Sequence, residues 1–287
     1  MAVLLPEPAV PVALPRRWRL PLLWLLIIAA LAAGIGMRQP QPPDEPRFVL
    51  AARTMVESGE WLLPHRGSEL YAEKPPVFMW LQAAAYEVVG SWQWSFLLPS
   101  LLGALLSLWL VSDLARRLWS PRHSLYAIGA LFCTLQFGLM AKRAQIDMVL
   151  VGMTTLALWG LLRHLCERRN VPALWLAGFA AGLGTVTKGV GFLPLLMVLP
   201  WFGWWLYQHR RGRRIEGPHP ATLLWLIPAF LLGVAVWLAP LGWALLHEPS
   251  ASLQSYAHEL LFKQTGTRYA NAWHHRQPVW YYLQVIL

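Results

Sequence analysis

The residues able to do chemistry in this sequence fall into a few short groups. Asp44 and Glu45 stand side by side between prolines, with Arg47 two positions on. Adjacent carboxylates suit a general base, a cation ligand or a binder of substrate hydroxyls. Asp44 also suits the N-cap of a following helix. Next comes Tyr71-Ala72-Glu73-Lys74-Pro75-Pro76. Lys74 offers a compact charge for phosphate, or an interfacial anchor. Arg143 and Asp147 are four apart, and on one helix they would share a face and pair. Thr187-Lys188-Gly189 reads as a helix end, with Gly189 at the C-cap. A last stretch holds His258, Glu259, Lys263, Arg268, His274, His275 and Arg276, then Pro278-Val279-Trp280-Tyr281-Tyr282. A histidine here could join an outer acid such as Glu73 on a metal. Adjacent histidines point apart, so at most one of His274 and His275 is expected to ligate. Gathered on one side of a membrane, these groups suit a phosphate-bearing lipid. Cations stabilise a phosphate as its charge develops, and a carboxylate positions or deprotonates an acceptor.

Such residues need elements to hold them, and composition says which kind. Of 287 residues, 56% are hydrophobic and 13% charged. Soluble domains carry about 25% charged residues, so a soluble enzyme, a disordered chain and a disulfide scaffold are excluded. Seven apolar stretches stand out, at about 18–37, 93–114, 124–141, 148–165, 171–187, 190–207 and 221–246. An eighth starts near Val279 and stops at Leu287. About 20 apolar residues span a bilayer as a helix. The expected fold class is all-α: a polytopic membrane protein with seven full spans and part of an eighth. Segment 75–89 is too short to span, rising only about 22 Å, and its double proline suits a first turn. It is expected to lie at the outer surface. Phe48, Val49, Ala52, Met55 and Val56 form one apolar stripe, so 47–57 reads as a second interfacial helix.

The net charge of +10 invites a nucleic-acid reading, but its distribution argues otherwise. Basic clusters at Arg16–Arg19, Arg116–Arg122, Arg163–Arg169 and Arg210–Arg214 recur at every second connection. That is the positive-inside pattern. Sorted this way, the inner side holds 13 Lys and Arg against 4 acids, and the outer side 11 against 10. The excess is topological, and no nucleic-acid partner follows. The N-terminus is expected to be cytoplasmic, with residues 1–17 as a tail and 18–287 as one membrane domain. The first run reads as a span, since Met37-Arg38-Gln39-Pro40 makes a poor signal-peptide cleavage site. Cys133 and Cys166 fall at mid-span and at an inner helix end, so no disulfide is expected.

The order of these motifs resembles the aminoarabinose transferase branch of the bacterial GT-C glycosyltransferases, related to protein O-mannosyltransferases. The matching residues are Asp44-Glu45-Pro46-Arg47-Phe48, Tyr71-Ala72-Glu73-Lys74-Pro75-Pro76 with Trp80-Leu81-Gln82, Arg143 to Asp147, Thr187-Lys188-Gly189, and His275-Arg276-Gln277-Pro278-Val279-Trp280-Tyr281-Tyr282. The resemblance covers about residues 18–287. It implies an inner-membrane transferase with a periplasmic site. The enzyme would move a sugar (4-amino-4-deoxy-L-arabinose or a hexose) from an undecaprenyl-phosphate carrier to lipid A or to a protein or glycan acceptor. Asp44, with Glu45 beside it, would match the catalytic loop acid. Glu73 and His275 would match a divalent-metal site, for which zinc fits the donors. Lys74 would hold the carrier phosphate, helped by Arg268 or Arg276. Arg47, Tyr71, Arg143, Asp147 and Lys188 complete the expected cavity.

Such enzymes usually have more membrane helices and a C-terminal periplasmic domain, so the sequence reads as an N-terminal portion. Two other classes fit the composition. A polyprenyl-phosphate transporter or flippase would place its ionisable residues near the bilayer midplane, whereas here they fall at outer helix ends and loops. A non-catalytic scaffold would tolerate substitution of the outer charges.

Overall fold

A computed structural model describes residues 16–167, 169–213, 217–261 and 280. Arg268, His275 and Arg276 lie outside them, as do residues 1–15 and most of the expected eighth span. The described chain is mostly helical. In order it runs α1 (Arg16–Ala32), α2 (Glu45–Ser58), a short antiparallel hairpin of β1 (His65–Arg66) and β2 (Glu69–Leu70), α3 (Val77–Val89), α4 (Trp92–Ser95) and α5 (Leu98–Leu118). Then come α6 (Pro121–Phe132), α7 (Leu135–Ala141), α8 (Ile146–Leu162) with a π-helical turn at Arg163–Glu167, and α9 (Val171–Lys188). A 3₁₀ turn leads into α10 (Val198–Arg210) and a second into α11 (Leu226–His247), and α12 (Ala251–His258) follows.

Among the described residues, three helices are long and apolar enough to cross a membrane: Trp92–Leu118, Ile146–Glu167 and Pro220–His247. The apolar stretch at 124–141 is not one straight helix. It bends by 73° between Phe132 and Leu135, so α6 and α7 form one broken span at most. The other expected spans correspond to shorter helices, and α3, with 13 residues, falls short of a bilayer's thickness.

Close helix approach depends on small residues. At the crossing of α9 and α11, a Cβ on Gly182 would overlap the Phe230 carbonyl, and one on Gly233 would overlap that of Phe179. At one end of the bundle, buried Asp113 of α5 accepts bonds from Arg116 at 2.7 Å, Arg117 at 2.6 Å and the Trp159 indole N–H at 2.9 Å. That network pins α5 to α8, and Arg117 also approaches Glu167 at 3.9 Å. The basic clusters at the ends of α5 and α8 thus share one end of the bundle. Asp147, in the first turn of α8, lies at the other.

The core nearest the site lies beneath α2 and α3. The expected amphipathic helix forms, burying Phe48, Ala51, Ala52 and Met55. Pro46 sits in its first turn, and Gly59 closes it in the left-handed conformation at φ 77°. Phe48 meets Phe78 of α3 edge to face at 5.5 Å, and Tyr71 at 6.3 Å. Burying each such side chain is worth about 1.5–3 kcal/mol. This packing fixes the loop that carries Asp44 against the one that carries Glu73 and Lys74.

Candidate active site

Three chain segments meet at the end of the bundle opposite the basic clusters. The first is the start of α2. Asp44 occupies its N-cap position, but its backbone is helical and its side chain caps nothing. One carboxylate oxygen is held by Arg47, and the other accepts from Gln145 Nε2 at 3.2 Å. Arg47 also reaches Glu73 at 3.1 Å. One guanidinium therefore links Asp44 to the Glu-Lys-Pro-Pro element.

That element is the second segment. The double proline stands just ahead of α3 rather than in its first turn, with Pro76 at the N-cap. Tyr71 is buried, only 1% exposed, with the Arg66 guanidinium 5.2 Å from its ring centre. Burial, assisted by the nearby Glu73 charge, pushes its phenol up to about 12.

The third segment is the C-terminal end of α9, which meets the start of α8. Lys188, the last residue of α9, pairs with Asp147. Gly189 caps α9 at φ 83°, its N–H bonded to Thr185 O. Gly184 and Gly191 let the chain double back so tightly that a Cβ on Gly191 would overlap the Gly184 backbone.

A cavity of about 590 Å³ opens between the second and third of these segments and α11, and the first adjoins it through the Arg47–Glu73 bridge. Glu73, Lys74 and Lys188 are its charged lining residues, and Phe230, Val234 and Trp237 belong to its apolar wall. The site is amphiphilic: cations at one end and a wall of hydrocarbon and indole along the rest.

Two expectations change. Arg143 and Asp147 do not share a helix face. The chain breaks between Ala141 and Ile146, leaving Arg143 exposed before α8 begins, and Asp147 pairs with Lys188 instead. Glu45 is not a second accessible acid beside Asp44. It is 3% exposed, and its carboxylate accepts from Arg38 at 2.6 and 2.8 Å, Gln41 N–H at 2.7 Å and Ala144 N–H at 2.8 Å. Burial alone would raise its pKa. The Arg38 and backbone hydrogen bonds outweigh that and hold the carboxyl below its ordinary value. Arg38 and Gln145 are site residues that the sequence did not reveal: Gln145 bonds Asp44 from 101 positions away, and Arg38 joins Glu45, seven positions on, to the Lys142 carbonyl, 104 positions on.

Of the expected metal pair, Glu73 is described and His275 is not. Among the described residues, no three His, Cys, Asp or Glu side chains gather as a metal site. Glu73 lines the cavity with its side chain 46% exposed, so an oxygen ligand is within a cation's reach there.

Comparison with known proteins agrees with this architecture. Residues 73–238 match the family described as dolichyl-phosphate-mannose-protein mannosyltransferase. An undecaprenyl phosphate-alpha-4-amino-4-deoxy-L-arabinose arabinosyl transferase of Pseudomonas fluorescens is 28% identical over 283 residues, covering 95% of this chain and 48% of the relative. One from Pseudomonas aeruginosa is 32% identical over 256 residues, covering 85% and 43%. The crystal structure of ArnT from Cupriavidus metallidurans bound to undecaprenyl phosphate superposes with a TM-score of 0.75 at 23% identity, covering 94% of this chain and 48% of that one. The chain spans about half the length of the relatives it matches. The family match covers more than half of its residues, and the chain belongs to the dolichyl-phosphate-mannose-protein mannosyltransferase family.

Proposed function

We propose that this chain works as a glycosyltransferase that takes a sugar from an undecaprenyl-phosphate carrier at the periplasmic face of the inner membrane, with 4-amino-4-deoxy-L-arabinose as the sugar and lipid A as the acceptor. The observation that carries this reading is the cavity itself. Its Phe230, Val234 and Trp237 wall suits a prenyl chain, and Lys74 and Lys188 at its polar end suit the phosphate. The relatives' names supply the sugar and the carrier.

The chemistry follows from charge. The bond from the sugar's anomeric carbon to the carrier phosphate breaks, and a bond to an acceptor oxygen forms. Lys74 and Lys188 stabilise the departing phosphate as it gains charge. Asp44 is placed by Arg47 and Gln145 to orient the acceptor. It removes a proton where the acceptor is a hydroxyl, and it orients alone where the acceptor is already an anionic phosphate. Tyr71, with its phenol near 12, stays neutral. Arg268 and Arg276 would add cations to the phosphate site. A divalent ion on Glu73 and His275 would supply Lewis acidity beside that phosphate.

The proposed topology has seven spans and the start of an eighth, with the N-terminus cytoplasmic, residues 1–17 as a tail and 18–287 as one membrane domain. It is supported by the grouping of the arginines of α5 and α8 at the end away from Asp147 and Lys188. The test is mass spectrometry of lipid A and of the carrier-lipid pool in cells with and without the gene. Aminoarabinose-modified lipid A that depends on the gene supports the reading. Unchanged lipid A alongside an unchanged carrier pool rejects it.

A further inference from the structure

Glu45 sits beside Asp44, the partly exposed acid of the pair, yet it has no capacity left for a substrate. A carboxylate offers about four lone-pair sites, and here four donors fill them. Oε1 accepts from Arg38 Nη2 and the Ala144 N–H. Oε2 accepts from Arg38 Nη1 and the Gln41 N–H. Arg38 Nη2 also donates to the Lys142 carbonyl at 2.7 Å, and its guanidinium lies 5.2 Å from the Phe96 ring centre. The chain entering α2 is thereby fastened to the break between α7 and α8. Gln145 follows Ala144, and its side chain is the one that reaches Asp44. An unbroken path thus runs from Glu45 through the Ala144 N–H and Gln145 to the Asp44 carboxylate.

We propose that Glu45, with Arg38, is a positioning residue: it fixes the 142–145 backbone so that Gln145 and Arg47 aim Asp44, the one member of the acid pair that meets the reacting groups. This rests on the transferase reading above. Misplacing a reacting group by about 1 Å can cost on the order of 100-fold in rate, so the effect should appear in turnover rather than in carrier binding. The phosphate cations Lys74 and Lys188 sit on other elements.

The test uses Glu45→Gln, Gln145→Leu and the double variant in the full chain in membranes. Transfer from undecaprenyl-phosphate-linked 4-amino-4-deoxy-L-arabinose to lipid A gives kcat, and a titration gives Kd for undecaprenyl phosphate. Each single variant is expected to lower kcat by about 10- to 100-fold and to leave Kd within about twofold. The double variant should be no worse than Glu45→Gln, because both act through one path. Trypsin provides a second reading, since Lys142 and Arg143 lie in the fastened break. Cleavage there should be about tenfold faster in Glu45→Gln, as a loosened segment opens more often. Should Glu45→Gln fail to accumulate, Gln145→Leu still tests the path, because it leaves the Glu45–Arg38 pair intact. The proposal is overturned by additive losses in the double variant, by a loss of carrier affinity equal to the loss of kcat, or by unchanged cleavage at 142–143. If the wild type transfers no sugar, the transferase reading fails, and the cleavage rates still decide whether Glu45 fastens the segment.

Discussion

Asp147 holds Lys188, and the same ammonium is proposed to take the carrier phosphate. The carboxylate is then an internal competitor for the ligand. Replacing it by Asn should release the lysine and remove a negative charge next to the arriving phosphate. Two unit charges about 4 Å apart interact by about 4 kcal/mol at an effective dielectric of 20. The pair is 35% and 44% exposed, however, and exposed pairs contribute only about 0.2–1 kcal/mol. Using the lower range, Asp147→Asn should tighten undecaprenyl phosphate binding by about 1.4- to 5-fold. Lys188→Met should weaken it by about 10- to 100-fold, the worth of one charge-assisted hydrogen bond. Trp237 in the cavity wall allows the titration to be followed by tryptophan fluorescence. Raising salt should shrink the gain in Asp147→Asn, since exposed charges are screened. Weaker binding in Asp147→Asn would refute the competition, because it would mean that the carboxylate supports the phosphate site rather than opposing it.

Further outcomes follow from the same geometry. Gly233→Ala forces a Cβ into the Phe179 carbonyl and should cost about 1–3 kcal/mol of stability, read as a lower melting temperature in detergent. Glu45 has a folded pKa below its ordinary value of 4.5, so it contributes stability above that pH. The contribution should fade as pH falls from there through the lower folded value. Thermal unfolding between pH 7 and pH 3 should therefore show a shallower acid loss in Glu45→Gln than in the wild type. Tyr71, near 12, carries no charge at working pH, so Tyr71→Phe should leave the alkaline side of the transfer–pH profile in place. A profile that loses an alkaline limb in that variant would show the phenol titrating.

What could be read from the sequence was local. The stripe through Phe48 and Met55 announced α2, the double proline announced the start of α3, and Gly189 announced the end of α9. Each of these depends on spacing within one or two helical turns. The pairing of Arg143 with Asp147 failed because spacing alone assumed a continuous helix, whereas the chain breaks at 142–145 and frees Asp147 for a lysine 41 positions away. The buried state of Glu45 was equally hidden. Half of its donors are backbone N–H groups, and any non-proline residue has one of those. The bend between α6 and α7 had no proline to announce it. The cavity wall drew on α11, whose apolar residues looked no different from those of any other membrane helix.

The most direct measurement is aminoarabinose transfer to lipid A by the wild-type chain, Asp44→Asn and Lys74→Ala, each checked for membrane insertion. Transfer by the wild type, with loss in both variants while insertion persists, is the predicted result. Wild-type turnover in both variants would contradict the assignment of the acid at α2 and the cation before α3 as the reacting pair.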